Sequence, residues 1–200
     1  HSRSFGLLMA AGTALMWAVL PLLMRTVLVH CSFTFIAWVR LAFAAPLLFA
    51  VLQLGGYQPR RIFAAPPRNA LGAGLMLAVN YYCFARGVDA AGAALGSVLI
   101  QSGALFFILL GVFVFRERLS RRQASGVVLA IAGFYLFYLN RAALSASGES
   151  YVLGSIYLLA GGLAWGVYAG LQKSLGQEAN MQLINMLVFA TAAVVLTPLV

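Results

Sequence analysis

Long apolar runs separated by short polar connections constrain this chain more than any other feature. Seven such runs lie near residues 5–28, 33–54, 69–86, 93–115, 122–139, 151–173 and 182–200. A helix that crosses a bilayer needs about 20 mostly apolar residues. Hydrophobic residues form 63% of the chain and charged residues only 8%, too few to build a water-soluble surface. The sequence therefore predicts an all-α, polytopic transmembrane helix bundle.

The basic residues predict how this bundle is oriented. With the N-terminus in the cytoplasm, the cytoplasmic side holds Arg3, Arg60, Arg61, Arg68, Arg116, Arg118, Arg121, Arg122 and Lys173. The outer side holds only Arg25, Arg86 and Arg141. Because cytoplasmic loops carry an excess of Lys and Arg, this bias predicts a cytoplasmic N-terminus. The net charge of +9 thus reflects topology, and no basic helix face indicates a nucleic-acid partner.

An internal repeat relates the two parts of the chain at an offset of 148 residues. The matching pairs are Gly6 with Gly154, Leu15 with Leu163, Trp17 with Trp165, Arg25 with Lys173, Ile36 with Ile184, Ala42 with Ala190 and Ala44 with Ala192. Five spans separate the copies, so the second copy would be inverted, as in many secondary transporters. We expect a first five-helix repeat over residues 1–148 and two helices of an incomplete second repeat over residues 149–200. Seven spans of an implied ten would then be present.

Aromatic and amide side chains inside the runs are the candidates for a substrate site. They are Trp17, Asn80, Tyr81, Tyr82, Gln101 and Trp165. A tryptophan at mid-depth needs a partner for its indole N–H, and an unpaired amide in hydrocarbon is expensive. These side chains could line one central cavity, or they could fill space and form helix-to-helix hydrogen bonds. Arg40, the one charge well inside a run, could hold a substrate carboxylate or play a structural part.

Several chemistries have no motif in this chain. The four acids, Asp89, Glu117, Glu149 and Glu178, lie in loops or at span ends, so no buried carboxylate is present as a proton relay. No phosphate-binding loop, hydrolase motif or Cys/His metal spacing occurs. We therefore expect neither an enzyme nor a cofactor or metal site. Cys31 and Cys83 leave open both a bridge and two free thiols, of which the thiols are favoured.

Three segments resemble one transporter family. Glu117-Arg118-Leu119-Ser120, followed by Gln123, Gly126 and Gly133, resembles the end of the fourth span and the start of the fifth in EamA-type transporters. These belong to the drug/metabolite transporter superfamily. Residues 38–41 resemble the second-span signature of that family, and residues 85–97 resemble its third-to-fourth connection. Arg116 departs from the pattern, because the family commonly has glycine there.

The resemblance implies two inverted five-helix repeats, cytoplasmic termini and export by alternating access. Within the family, the paired tryptophans and the Tyr81-Tyr82 cluster are most similar to the YddG-type amino-acid exporters. We therefore expect a secondary transporter that exports amino acids, including aromatic ones, or related metabolites across the bacterial inner membrane. Its partners would be a small-molecule substrate and the lipid bilayer, and we expect a monomer. The alternatives are an exporter of lipophilic cations, with aromatic rings as the cation site, and a non-transporting membrane subunit.

Overall fold

The computed structural model describes residues 6–9, 11–12, 15–16, 31–143, 148–175 and 180–200. From residue 31 onward, the described part of the chain forms helices and no strands: α1 Phe33–Leu54, α2 Arg60–Ala64, α3 Arg68–Ala91, α4 Ala93–Leu99, α5 Ser102–Phe113, α6 Arg121–Ala143, α7 Gly148–Ser174 and α8 Met181–Leu196. A 3₁₀ turn, Thr197–Leu199, follows α8. Most of the first predicted span, near residues 5–28, lies outside the described residues.

In the part of the chain that the structure describes, five helical stretches are long and apolar enough to cross a membrane. They are Phe33–Leu54, Ala93–Phe113, Arg121–Asn140, Gly148–Ser174 and Met181–Leu199. These stretches coincide with five of the predicted runs, and the prediction of a polytopic all-helical bundle is confirmed. The predicted run at 69–86 is α3, which has 24 residues but is not among the five. Its glycines and its polar residues Asn80, Arg86 and Asp89 make α3 less apolar than its neighbours.

Helix α3 lies at the centre of the bundle and contacts α1, α7 and α8. Its contact with α7 depends on glycines, which have no side chain to hold the two helices apart. A Cβ at Gly87 would lie 2.6 Å from Leu158 Cγ, and a Cβ at Gly154 would lie 2.5 Å from Ala91 Cβ. Such small residues let two backbones approach closely, which favours helix association where lipid removes the hydrophobic driving force.

The bundle has two clusters of buried apolar side chains. The first joins α3 and α8 with one residue of α1: Leu41, Ala70, Ala73, Leu77, Ala78, Ile184, Leu187, Val188, Ala192, Ala193 and Leu196. The second joins α4 to α7 through Leu95, Leu99, Tyr151 and Leu158, with side chains of α6 packed against it. Helix α6 is otherwise peripheral, because most of its residues are exposed. Outside these clusters, Cys31 and Cys83 are both free thiols.

Helices α1 and α8 begin in the same way. Ser32 caps α1 by accepting a hydrogen bond from the Phe35 amide at 3.1 Å. Asn180 caps α8 by accepting hydrogen bonds from the amides of Gln182 and Leu183 at 3.0 and 3.3 Å. Such caps satisfy amide groups that have no partner within the helix. The two caps lie 148 residues apart, which is the offset of the predicted repeat.

The same two helices pack against each other in opposite directions. Trp38, in the second turn of α1, donates a hydrogen bond from Nε1 to Oγ1 of Thr197 at 3.1 Å. Thr197 directly follows the end of α8. The start of α1 therefore lies beside the end of α8, as two equivalent helices of an inverted repeat would lie.

The predicted fourth span consists of two helices joined by a tight turn. Helix α4 ends at Leu99 and α5 begins at Ser102. Across the junction the amides of Gln101 and Gly103 donate to the carbonyls three residues earlier, both at 3.1 Å. Such 3₁₀ bonding within a longer helix often marks a functional hinge. The break therefore singles out Ile100 and Gln101 as a position where the span changes geometry.

Arg116 follows α5 with a φ of 55°, and it is the one non-glycine residue with positive φ in the described part of the chain. Side chains are disfavoured in this region by roughly 1–2 kcal/mol, which explains why glycine is common here in the family. We expect Arg116→Gly to raise the free energy of unfolding by about 0.5–1 kcal/mol, after the added freedom of the unfolded chain is deducted. Thermal unfolding in detergent micelles measures the change.

Arg118→Gly is the matched control for this substitution. It removes the same charge two residues further on, at a position without positive φ. We expect no gain in stability from it. If both variants unfold at the temperature of the parent, the backbone conformation at Arg116 has no energetic cost.

Candidate substrate site

Asn80 joins α3 to α7 at the middle of their contact. Its side chain is 7% exposed, and Nδ2 donates a hydrogen bond to the carbonyl oxygen of Gly161 at 2.9 Å. A buried amide without a partner would be costly in the bilayer, so this bond stabilises the pairing of the two helices. The contact corresponds to the helix-to-helix role that the sequence left open for Asn80.

Ser102 lies at the first position of α5, directly after the break in the fourth span. Its side chain is 2% exposed, and its Oγ has no hydrogen-bond partner among the described residues. Gly162 of α7 packs against this hydroxyl so closely that a Cβ at Gly162 would overlap it. An unpaired buried hydroxyl costs about 1–3 kcal/mol, so its presence calls for a reason. We did not predict Ser102 as a site residue; its position beside Gln101 was the available signal.

Trp165 borders the same junction from α7. A Cβ at Gly103 would lie 3.0 Å from Trp165 Cε3 and 3.1 Å from the Gly162 carbonyl oxygen. The indole is therefore packed on the α5 backbone at Gly103, while 37% of the residue remains exposed. Gln101, in the turn before Ser102, is also exposed. The structure thus brings an aromatic ring and an unpaired hydroxyl to one interface, with the Gln101 amide beside it in the chain.

The remaining predicted site residues lie elsewhere or cannot be placed. Tyr81 and Tyr82 are half-buried and pack against the first apolar cluster, which α3 forms with α8. Trp17 lies outside the described residues, so its pairing with Trp165 across one cavity stays a prediction. Arg40 is exposed on α1.

A second polar group, which includes Gln172, lies near the end of α7. Gln172 donates a hydrogen bond from Nε2 to Oδ1 of Asn185 on α8 at 2.7 Å. Tyr168 lies one turn earlier on α7, on the same helix face as Gln172. We overlooked Gln172 because polar residues near the end of a span are expected at the headgroup region.

Two open depressions on the bundle surface are apolar. The first, of about 300 Å³, is lined by Phe63, Pro66, Leu71, Leu187, Ala190, Thr191, Val194 and Val195. The second, of about 390 Å³, is lined by Gly148, Glu149, Val152, Leu153 and Ile156. None of the predicted site residues that the structure describes lines either depression. In the described ranges, no group of three or more His, Cys, Asp or Glu side chains is placed to hold a metal ion.

The apolar spans and the buried polar contacts between them define a multi-pass helical membrane protein. Residues 4–139, more than half of the chain, match the EamA-like transporter family. The chain belongs to this family. The predicted family is thereby confirmed, and it is a family of transporters rather than of enzymes.

Three curated relatives extend this result. An uncharacterized transporter of Haemophilus influenzae is 26% identical over 195 residues, covering 97% of this chain and 64% of the relative. A probable amino-acid metabolite efflux pump of Salmonella typhimurium is 30% identical over 161 residues, covering 76% of this chain and 52% of the relative. The uncharacterized inner membrane transporter YhbE of Escherichia coli K12 is 24% identical over 203 residues, covering 100% of this chain and 63% of the relative.

The chain thus spans between about half and two thirds of the length of these relatives. No solved structure matches it significantly.

Proposed function

We propose that this chain forms seven spans of a ten-span carrier in the bacterial inner membrane. The carrier exports amino acids, including aromatic ones, or related small metabolites by alternating access. The family match supports a transport function. The name of the Salmonella relative supports amino-acid metabolites as substrates, and the name of the Escherichia coli relative supports a location in the inner membrane. The antiparallel packing of α1 and α8, whose caps lie 148 residues apart, supports two inverted repeats.

The junction of α5 with α7 carries the proposal. The Ser102 hydroxyl can donate to a substrate carboxylate, the Gln101 amide can donate or accept, and the Trp165 ring can pack against an apolar or aromatic side chain. All three groups are neutral, which suits a zwitterion without strong net charge. In the arrangement described, Gly162 covers the hydroxyl. Substrate would therefore reach it only when α5 and α7 separate, which is the behaviour of an occluded state.

The placement of the acids favours transport without a proton relay in this part of the protein. Asp89 lies in the last turn of α3, Glu149 lies in the first turn of α7, and Glu117 is paired with Lys173. None of these three lies in the middle of a span, where proton-relay carboxylates are found. We therefore propose exchange or facilitated movement of the substrate, at least through the groups described.

Counterflow in proteoliposomes tests the proposed function. Vesicles are loaded with an unlabelled amino acid, and uptake of its labelled form is measured for the 200-residue chain and for the chain joined to three further spans. We expect saturable counterflow with the ten-span form, about tenfold above protein-free vesicles or more, and competition by several amino acids. The ratio of the counterflow rate of the 200-residue chain to that of the ten-span form measures how much of the activity resides in the seven spans.

The two alternatives have distinct outcomes in this assay. If both forms move a lipophilic cationic dye but no amino acid, the cation exporter replaces the amino-acid exporter. If neither form moves any solute in a saturable way, the protein is a non-transporting membrane subunit and the proposal is wrong.

A further inference from the structure

The last turn of α7 is tied to three different parts of the bundle by three successive residues. Gln172 Nε2 donates to Asn185 Oδ1 of α8 at 2.7 Å. Lys173 Nζ pairs with the Glu117 carboxylate in the segment after α5. Ser174 Oγ accepts a hydrogen bond from Asn69 Nδ2 at the start of α3 at 2.8 Å. Because successive helical residues point about 100° apart, the three side chains hold the helix end on three sides.

Contacts to Lys173 and contacts to Glu117 both fix the geometry of their ion pair. Lys173 Nζ lies 5.0 Å from the ring centroid of Phe115 and 5.7 Å from that of Phe107, within reach of cation–π attraction. The Glu117 amide donates to the Gly111 carbonyl at 3.0 Å, and its carboxylate packs against Gly111 on the last turn of α5. Fixed geometry of this kind distinguishes the pair from the average exposed salt bridge, which contributes little.

The opposite end of α7 is held in another way. There, Gly154 packs tightly against Gly87 and Ala91 of α3. Opening such a contact leaves apolar surfaces without close partners, whereas hydrogen bonds at a water-accessible helix end can be exchanged for bonds to water at modest net cost. Close contacts of α7 with the α5 backbone continue through Gly162 and Gly166. Opening of the bundle would therefore begin beyond them, at the last turn of α7, where polar bonds hold the helix.

We propose that Gln172, Lys173 and Ser174 form a lock that closes the cytoplasmic end of the bundle and releases in each transport cycle. The inference rests on the proposed function and on the predicted orientation. Its link to the substrate site is direct, because the Lys173–Glu117 pair joins α7 to the end of α5. Ser102 lies at the start of α5, and Gly162 of α7 covers its hydroxyl. Release of the pair lets α5 and α7 separate, and this separation exposes the hydroxyl to the cytoplasm.

A reporter cysteine at the covered hydroxyl tests the lock without any substrate. Ser102→Cys is introduced with Cys31→Ser and Cys83→Ala, and its reaction with a membrane-impermeant maleimide is followed in inside-out vesicles. We expect Glu117→Gln and Lys173→Gln each to raise the labelling rate about tenfold, because the closed population falls. The exchange Glu117→Lys with Lys173→Glu is expected to return the rate toward that of the parent.

The matched control is Glu149→Gln, which removes an exposed acid from the first turn of α7, outside the lock. We expect it to leave the labelling rate unchanged. Equal labelling in the parent and in both lock variants would overturn the proposal, as would an equal rise with Glu149→Gln.

Cross-linking supplies a second test that does not use the Ser102 position. Glu117→Cys and Lys173→Cys, in the same cysteine-free background, are joined by a short bifunctional thiosulfonate that a reductant cleaves. We expect cross-linked protein to lose counterflow by about tenfold or more and to regain it after reduction. Full counterflow with the cross-link in place overturns the lock. Absence of counterflow in the parent ten-span form, together with the expected rise in labelling of the lock variants, overturns the proposed function instead and leaves the lock in place.

Discussion

Gly162→Ala is expected to lower the free energy of unfolding by about 1–3 kcal/mol, which is the usual cost of overpacking a close contact. The added methyl group would overlap the Ser102 hydroxyl and would lie 3.1 Å from the backbone nitrogen of Gly103. A backbone atom cannot move aside as a flexible side chain can, so α5 and α7 must separate. Titration of folded protein in mixed micelles with sodium dodecyl sulfate measures the change.

The control for this substitution is Gly126→Ala on α6. A Cβ at Gly126 meets no heavy atom within 4 Å. Because alanine is the better helix former by up to about 1 kcal/mol, this variant is expected to be neutral or slightly stabilising. If Gly162→Ala unfolds at the same detergent fraction as the parent, the close contact of α5 with α7 is wrong.

Trp165→Ala is expected to lower the specific transport rate for aromatic amino acids about tenfold, which corresponds to about 1.4 kcal/mol of lost ring contact. Trp165→Phe should keep most of the rate, because an aromatic face remains beside Gly103. Counterflow at several substrate concentrations separates an effect on apparent affinity from one on maximal rate. The loss should be smaller for small amino acids, whose side chains have little to pack.

Trp38→Phe provides the comparison for the loss of an indole elsewhere in the bundle. The Trp38 indole is hydrogen-bonded to Thr197 where α1 meets α8, away from the α5–α7 junction. Its replacement is expected to reduce stability slightly and to leave the apparent affinity for substrate unchanged. A Trp165→Ala protein with unaltered affinity and maximal rate would remove Trp165 from the site.

Run length and hydropathy predicted most of the helices well, because few structures other than helices satisfy backbone groups in a bilayer. The predicted span 33–54 is α1, and 151–173 differs from α7 by only a few residues at its start. The break at Ile100 and Gln101 was not predicted. The sequence there, Ile100-Gln101-Ser102, has no proline, and the apolar run 93–115 therefore predicted one continuous span.

The site was less predictable than the helices, because partners across a helix contact depend on rotation and register. Asn80 could have faced a substrate or a backbone carbonyl, and only the position of Gly161 distinguishes these roles. Tyr81 and Tyr82 adjoin Asn80 in sequence but pack against the first apolar cluster, since neighbouring helical residues diverge by about 100°. The structure adds Ser102 to the site, because its hydroxyl has no partner among the described residues.

The unpaired hydroxyl of Ser102 has a consequence for the balance between conformations. Among the described residues it has no partner, which raises the free energy of the packed arrangement by about 1–3 kcal/mol relative to one in which water or substrate binds it. That difference corresponds to a factor of about 5 to 150 in the equilibrium between the two arrangements. In the proposed carrier, two forms that are close in free energy would both be populated, whereas a fully satisfied contact would hold it in one form. A single polar atom beside the break in the fourth span would therefore keep the most tightly packed form of the proposed carrier from becoming too stable to leave.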